Sequence, residues 1–355
     1  MLKIVFENFQ MKFRKKFNLM KKENFSFFSC FFLLLILHSC QSSHPINQPT
    51  HFAQNIMTID YHIIVGDPLS SSQSQQIQQI INSTFQEIND IYNKWNPHSE
   101  LSQLNNLDAH IPILLSPQLN DFLQQTDQLV KISNGLFDPT IEPIQQLWKT
   151  QLEKGRCPTK EQIKDLKPCI GWHTLHIENG IFFKNDRRTQ LDFGGIVKGY
   201  CVDLIIERLH QIGLNNLFVE WGGEIRTLGF HPSKRPWRVF ISRLDNKDPS
   251  QAIAELNLID RALATSGDYF QCWEVLNEQE EKVVYCHIFN PLTLTPLLVK
   301  SGSIASASLL AMDCTTADAL AKTLMLFDSA KEAQAWIEQL QAQFPYLACW
   351  IVTRE

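Results

Sequence analysis

The chain has 355 residues, 44% of them apolar and 19% charged, with a net charge of −5. This mixture suits one large globular body or two small ones, and excludes an intrinsically disordered chain, a collagen-like fibre and a polytopic membrane protein. The acidic balance argues against a nucleic-acid partner.

Charge is unevenly spread. Residues 1–39 carry seven Lys/Arg and two Glu, a net of +5, which leaves −10 on the remainder. A basic stretch (Lys12, Arg14, Lys15, Lys16, Lys21, Lys22) precedes an apolar run over residues 25–37. Thirteen residues fall short of the roughly 20 that a membrane-spanning helix requires, so the segment reads as an export signal. It ends Leu37-His38-Ser39-Cys40, which resembles a bacterial lipobox, with Cys40 as the acylated new N-terminus and His38 as an unusual second residue. A plain signal peptide and an uncleaved anchor are the other readings. The expected division is a signal peptide over 1–39, a lipidated polar tether over 40–54 and one body over 55–355. Setting aside Cys30 and Cys40 leaves seven cysteines without a C-x-x-C spacing, which argues against a zinc site. An oxidising compartment permits disulfides, and Cys157 and Cys169 bracket a short polar segment. Cys201, Cys314 and Cys349 sit in apolar patterns and are expected as buried thiols.

Along the body, Ile77, Ile80, Ile81, Phe85, Ile88, Ile91, Tyr92 and Trp95 recur at three- and four-residue steps, predicting one long amphipathic helix. Ser116-Pro117 marks a helix start and Gly135 a stop; another helix is expected from about 196 to 212 with Gly213 beyond it. Two more are expected at 315–327 and 329–341. Strands are predicted at 60–65, 216–221, 236–242, 252–259, 282–289 and 346–352. Because strands cluster instead of alternating with helices, the fold class is α+β, in a single compact body.

Six segments break these patterns with glycine, acid or hydroxyl residues: 134–140, 191–200, 219–224, 264–269, 285–291 and 316–323. Gly194-Gly195 opens a helix after Leu191-Asp192, where exposed N–H groups favour an anion and glycine admits a ligand. It is neither a G-x-G-x-x-G nor a Walker motif. Capping by Asp192 is the competing account there, and a β-bulge is the competing account of Gly222-Gly223. Residues 264–269 read as a turn or a phosphate cradle. His287 is a lone histidine at a strand end. Asp318 lies in the first turn of an Ala/Leu-rich helix, which suits a carboxylate-bound metal.

In this order, together with Ser99-Glu100-Leu101-Ser102, Glu142-Pro143, Trp148 and Lys198-Gly199-Tyr200 with Asp203, these segments resemble the ApbE-type flavin transferases (FAD:protein FMN transferases) over roughly residues 55–352. The resemblance implies an α+β, T-fold-related body held in the periplasm or tethered to the membrane. It implies FAD as substrate and Mg²⁺ as cofactor. FMN would move onto a threonine hydroxyl of a target protein with release of AMP. The implied targets are subunits of sodium-translocating NADH:quinone reductase or Rnf-type complexes. Residue by residue, it implies that Met57, Trp95, Leu136, Phe137, Asp138, Asp192, Lys198, Ile288 and Phe289 bind the cofactor. His287 is the implied general base, and Gly195 and Asp318 are implied metal ligands. This chain departs from the family's pattern at four places. The early glycine is missing from Met57-Thr58, Lys322 stands where a threonine ligand is usual, Asn290 replaces an acid, and Leu294 replaces a glycine. A metal-dependent FAD pyrophosphatase and a non-enzymatic flavin-binding lipoprotein remain alternatives to the transferase.

Overall fold

Successive side chains of a strand face opposite ways, and the central strands use both faces. Ile63, Val219, Trp221 and Ala264 join the main core, whereas their neighbours Ile64, Phe218 and Leu263 join a second apolar cluster. Strand Leu217–Trp221 is buried throughout and reads as an apolar run broken only by Glu220. These strands belong to a seven-stranded sheet in a computed structural model that describes residues 48–354, apart from 245, 247 and 277–279. The export signal, Cys40 and most of the tether lie outside the described residues.

In spatial order the sheet runs Thr50–Ile56, Ile59–Val65, Leu217–Trp221, Glu224–Leu228, Ala262–Gly267, Ile304–Ala311 and Ala348–Thr353. Every pairing is antiparallel, and spatial order follows chain order. The molecule is thus a meander into which helices and small sheets are inserted, an α+β architecture as expected. Helices Ser71–Glu87, Val197–Gln211 and Cys314–Leu324 cover one face. The hairpin of Trp237–Ile241 and Ala254–Leu258 covers the other through Trp237, Val239, Ile241 and Leu258. A third cluster packs helix Glu142–Leu152 against the sheet formed by Cys272–Leu276, Lys282–Asn290 and Thr295–Leu298. Among the described residues no helix is long and apolar enough to cross a membrane.

Local chemistry explains the helix ends. Ser70 and Gln73 form a reciprocal capping box ahead of Ser71–Glu87, and Ser116 caps Pro117–Ile132 with proline at its first position. The expected single helix through Trp95 stops early. Ser71–Glu87 passes into a π-turn over Ile88–Tyr92, and Asn93 turns outward. Asn93 accepts a hydrogen bond from the Trp95 N–H and Asn96 donates to the Asn89 carbonyl, so side-chain amides replace the helical ladder.

The tether also ends sooner than residue 54, because Thr50–Ile56 pairs along its length with Ile59–Val65. An edge strand needs few apolar residues, and here Phe52 and Ile56 suffice, which is why it reads as polar linker. Of residues 264–269, expected as a turn or cradle, 264–267 belong to strand Ala262–Gly267. Gly222 and Gly223 (φ 63° and 100°) are the two corner residues of a tight hairpin and not a bulge. All seven described cysteines are free thiols; Cys201 and Cys314 are buried and Cys349 is half-buried.

Candidate active site

Two cavities adjoin at one end of the sheet. The larger, of about 640 Å³, is lined by the Thr58–Asp60 corner, Lys198, Glu220, the 222–224 turn, Thr265–Gly267, Tyr269, Phe270 and Asp318. The smaller, of about 280 Å³, is lined by Lys94, Trp95, Leu136–Pro139, Glu142, Asp192, Gly195, Trp273 and Phe289. Gly194, His287, Ile288 and Lys322 belong to both walls. A ligand with two ring systems joined in the middle fits such a pair of chambers, with its junction at those four residues.

The larger cavity is organised by two helices that nearly touch. A Cβ on Gly199 would lie 2.2 Å from the Cys314 carbonyl oxygen, so only glycine permits this approach. Asp203 holds the partner helix by its start, accepting from the N–H groups of Cys314 and Thr315 and from the Thr315 hydroxyl. Its other neighbour is Arg226, at 2.7 Å. Burial nevertheless pushes its carboxyl up to about 6. The clamp sets Asp318 against the Gly199 N–H at 3.2 Å and aims Lys322, one turn on, at the shared wall. Lys198 pairs with Glu224 at 2.6 Å. Burial raises the Glu224 pKa and the Asp318 charge adds to this, while the Lys198 ammonium opposes both. Glu224 Oε2 is buried and lacks a hydrogen-bond partner.

His287 lies in strand Lys282–Asn290, and its N–H donates to the Gln271 carbonyl. Its Nδ1 is buried without a partner, which leaves Nε2 as the nitrogen able to meet a ligand. Its pKa is pushed down to about 4, first by burial and then by the Lys322 and Lys198 charges, so the ring is neutral at pH 7. Phe270 packs edge-on to it at 6.1 Å.

In the smaller cavity Lys94 bridges Glu142 (2.6 Å) and Asp192 (3.0 Å) and lies 5.0 Å over the Trp95 ring. Trp95 is 76% exposed, an apolar plate open to a planar ligand. Asp192 also accepts from the Gly194 N–H at 2.8 Å, a bond within the turn, while helix Val197–Gln211 starts at Ile196 with no side-chain cap, so capping does not account for Asp192. Phe193, within an edge-to-face cluster with Phe122, fixes this turn. Asp138 lines the cavity, but its carboxylate is taken up by Thr140 and by the Trp172 N–H.

Of the residues singled out in the sequence, Trp95, Leu136, Phe137, Asp138, Asp192, Gly195 and Phe289 line the smaller cavity. Lys198 and Asp318 line the larger, and His287, Ile288 and Lys322 line both. Met57 lines neither. It occupies the hairpin corner (φ 49°), packs on the core, and leaves Thr58 and Ile59 to form the wall. Sequence reasoning missed Lys94, hidden inside the predicted helix, and gave no role to Glu224 or Phe270. An exposed aromatic directly after a small-residue strand was the available signal for Phe270.

The ApbE family profile matches residues 57–347. An FAD:protein FMN transferase of Chlamydia pneumoniae is 40% identical over 312 residues, covering 87% of this chain and 94% of that protein. One from Vibrio cholerae is 30% identical over 296 residues, covering 82% and 85%. The solved flavin transferase ApbE from Vibrio cholerae superposes with a TM-score of 0.73 at 26% identity, covering 87% of this chain and 94% of that one. Profile, relatives and superposition agree: the chain belongs to the ApbE family.

Proposed function

We propose that the chain transfers FMN from FAD to a threonine hydroxyl of a target protein and releases AMP. The observation that carries this reading is the meeting of the two chambers at His287, Gly194 and Lys322. A dinucleotide laid across them places its diphosphate beside a neutral imidazole and a cation. His287 Nε2 takes the hydroxyl proton as that oxygen bonds to the FMN-side phosphorus; the bridging P–O bond breaks and AMP leaves with the electron pair. Positioned proton acceptance of this kind contributes about 10²–10⁴-fold. Trp95 and Phe289 hold a planar ring in the smaller chamber, and Lys94 keeps Asp192 and Glu142 from repelling it.

The Mg²⁺ that the resemblance implies would need hard oxygen donors. Asp318 and the Gly195 carbonyl are hard oxygens of the kind magnesium prefers. The third position carries the Lys322 amine, which cannot ligate as an ammonium and repels a cation. No group of three or more His, Cys, Asp or Glu among the described residues could hold a metal ion. The set does not fit a divalent ion.

The proposal extends to place and partner. Acylation at Cys40 would tether the body at the membrane, facing the periplasm, within reach of redox subunits of sodium-translocating NADH:quinone reductase or Rnf-type complexes. Incubation with FAD and such a subunit, followed by intact mass and nucleotide analysis, is the test. Added FMN mass with one AMP per flavin is expected. Free FMN plus AMP would identify a pyrophosphatase, and bound FAD without AMP a flavin carrier.

A further inference from the structure

We propose that the ammonium of Lys322 is the resident cation of the diphosphate site, so that this chain binds FAD and transfers FMN without a divalent metal. The inference rests on the FMN-transfer reading above and deepens it.

Three observations converge. First, Lys322 lies in the wall common to both chambers, where the two halves of a dinucleotide join. Second, its stem crosses Gly195 so closely that a Cβ there would lie 2.9 Å from Cδ and 3.0 Å from Cε. The lysine stem therefore runs against a backbone position where any side chain would collide with it, and glycine leaves the room for it. Third, its charge is uncommitted. Lys94 is held by Glu142 and Asp192, Lys198 by Glu224, and Lys184 by the carbonyls of Asn105 and Thr189. Among the described residues no hydrogen bond or ion pair engages the Lys322 ammonium.

Charge balance says why this matters. Asp60, Glu220, Glu224 and Asp318 line the larger chamber against Lys198 and Lys322, so Lys322 supplies one of the two positive charges that face a diphosphate there. Without it the wall would be more negative still and would repel a diphosphate more strongly. A fixed ammonium on a helix clamped by Asp203 supplies that charge already oriented, with no ion to recruit.

The test uses the full chain in detergent, with FAD and riboflavin binding followed by fluorescence in EDTA and in Mg²⁺. Wild-type FAD affinity should be the same in both to within about twofold. Lys322→Gln should weaken FAD binding in EDTA by about tenfold or more and leave riboflavin, which has no phosphate, unchanged; that riboflavin value also reports folding. Lys322→Arg should keep FAD affinity in EDTA, and Lys322→Thr should bind FAD well only in Mg²⁺. Wild-type FAD binding that requires Mg²⁺, or Lys322→Gln binding like wild type in EDTA, overturns the assignment. FMN transfer seen only with Mg²⁺ overturns it too, while the transferase reading stands. Metal-free, Lys322-dependent FAD binding without AMP release removes the transferase reading and keeps the cation.

Discussion

At the scale of single residues, the protonation of His287 is the most exposed consequence of the site. Burial first, and then the two ammoniums, hold its pKa near 4, so the neutral form persists well below the usual histidine range. The acid limb of kcat/KM, which reports the free enzyme, should therefore have its midpoint near 4. Removing one of the two charges should move it upward, so a pH–rate profile of Lys322→Gln should fall at higher pH than that of wild type. His287→Ala should lower transfer by about 10²–10⁴-fold with FAD affinity retained, measured as flavin attached per minute beside equilibrium binding. The residues of the shared wall and its neighbour Asp318 were legible in the sequence because His287, Asp318 and Gly194-Gly195 break otherwise apolar patterns. Lys94 was not, because a lysine beside an amphipathic stripe looks like any solvated residue until the π-turn re-aims it. Asp138 showed the opposite problem, since its position was readable but its engagement with Thr140 and Trp172 was not.

Among elements, the pair of helices around Gly199 carries the most weight. A methyl group at Gly199 must displace the Cys314 backbone, so Gly199→Ala should cost about 1–3 kcal/mol or more and weaken FAD binding as Asp318 and Lys322 shift. Urea unfolding and fluorescence titration would measure both. Asp203 gives these helices a pH signature. Its carboxyl is raised to about 6 in the fold, against the ordinary aspartate value near 4 in the unfolded chain. From about pH 4 to 6 the unfolded chain has released this proton and the folded chain still holds it, so its contribution to stability falls as pH rises through that window. Asp203→Asn should remove that slope, seen as the difference between urea midpoints of the two proteins. Helices were readable at this scale because their caps are written locally, as at Ser116-Pro117 and Gly213. Strands Ala262–Gly267 and Ile304–Ala311 escaped because small Ala, Ser, Thr and Gly residues make up most of them. Their small side chains let helix Cys314–Leu324 lie close, so packing rather than β-propensity selected them.

For the molecule as a whole, the meander makes the two faces of the sheet one cooperative unit. Phe218 on one face and Val219 on the other share a backbone. Phe218→Ala should therefore cost about 3–5 kcal/mol and lower a single transition, with helical circular dichroism and tryptophan fluorescence lost together. Two separate transitions would show that the hairpin face unfolds alone. That one α+β body exists was evident from clustered strands and the absence of a long internal linker. The site itself was not visible as a shape, since its walls come from hairpin 56–59, turn 192–195, turn 222–224, the end of strand 262–267, strand 282–290 and helix 314–324. Only the sheet order brings such distant stretches together.

The Met57–Thr58 corner has a consequence for anyone trying to harden this protein. Both residues adopt left-handed backbone angles that asparagine and glycine accept with less strain. Selection for heat resistance alone would thus favour glycine at 58, where relief of backbone strain is worth about 1 kcal/mol, while Met57 stays for its contact with the core. It would erase Thr58 from the rim of the substrate chamber at the same stroke, and the toughest variant would then be a poorer host for its dinucleotide than its fragile parent.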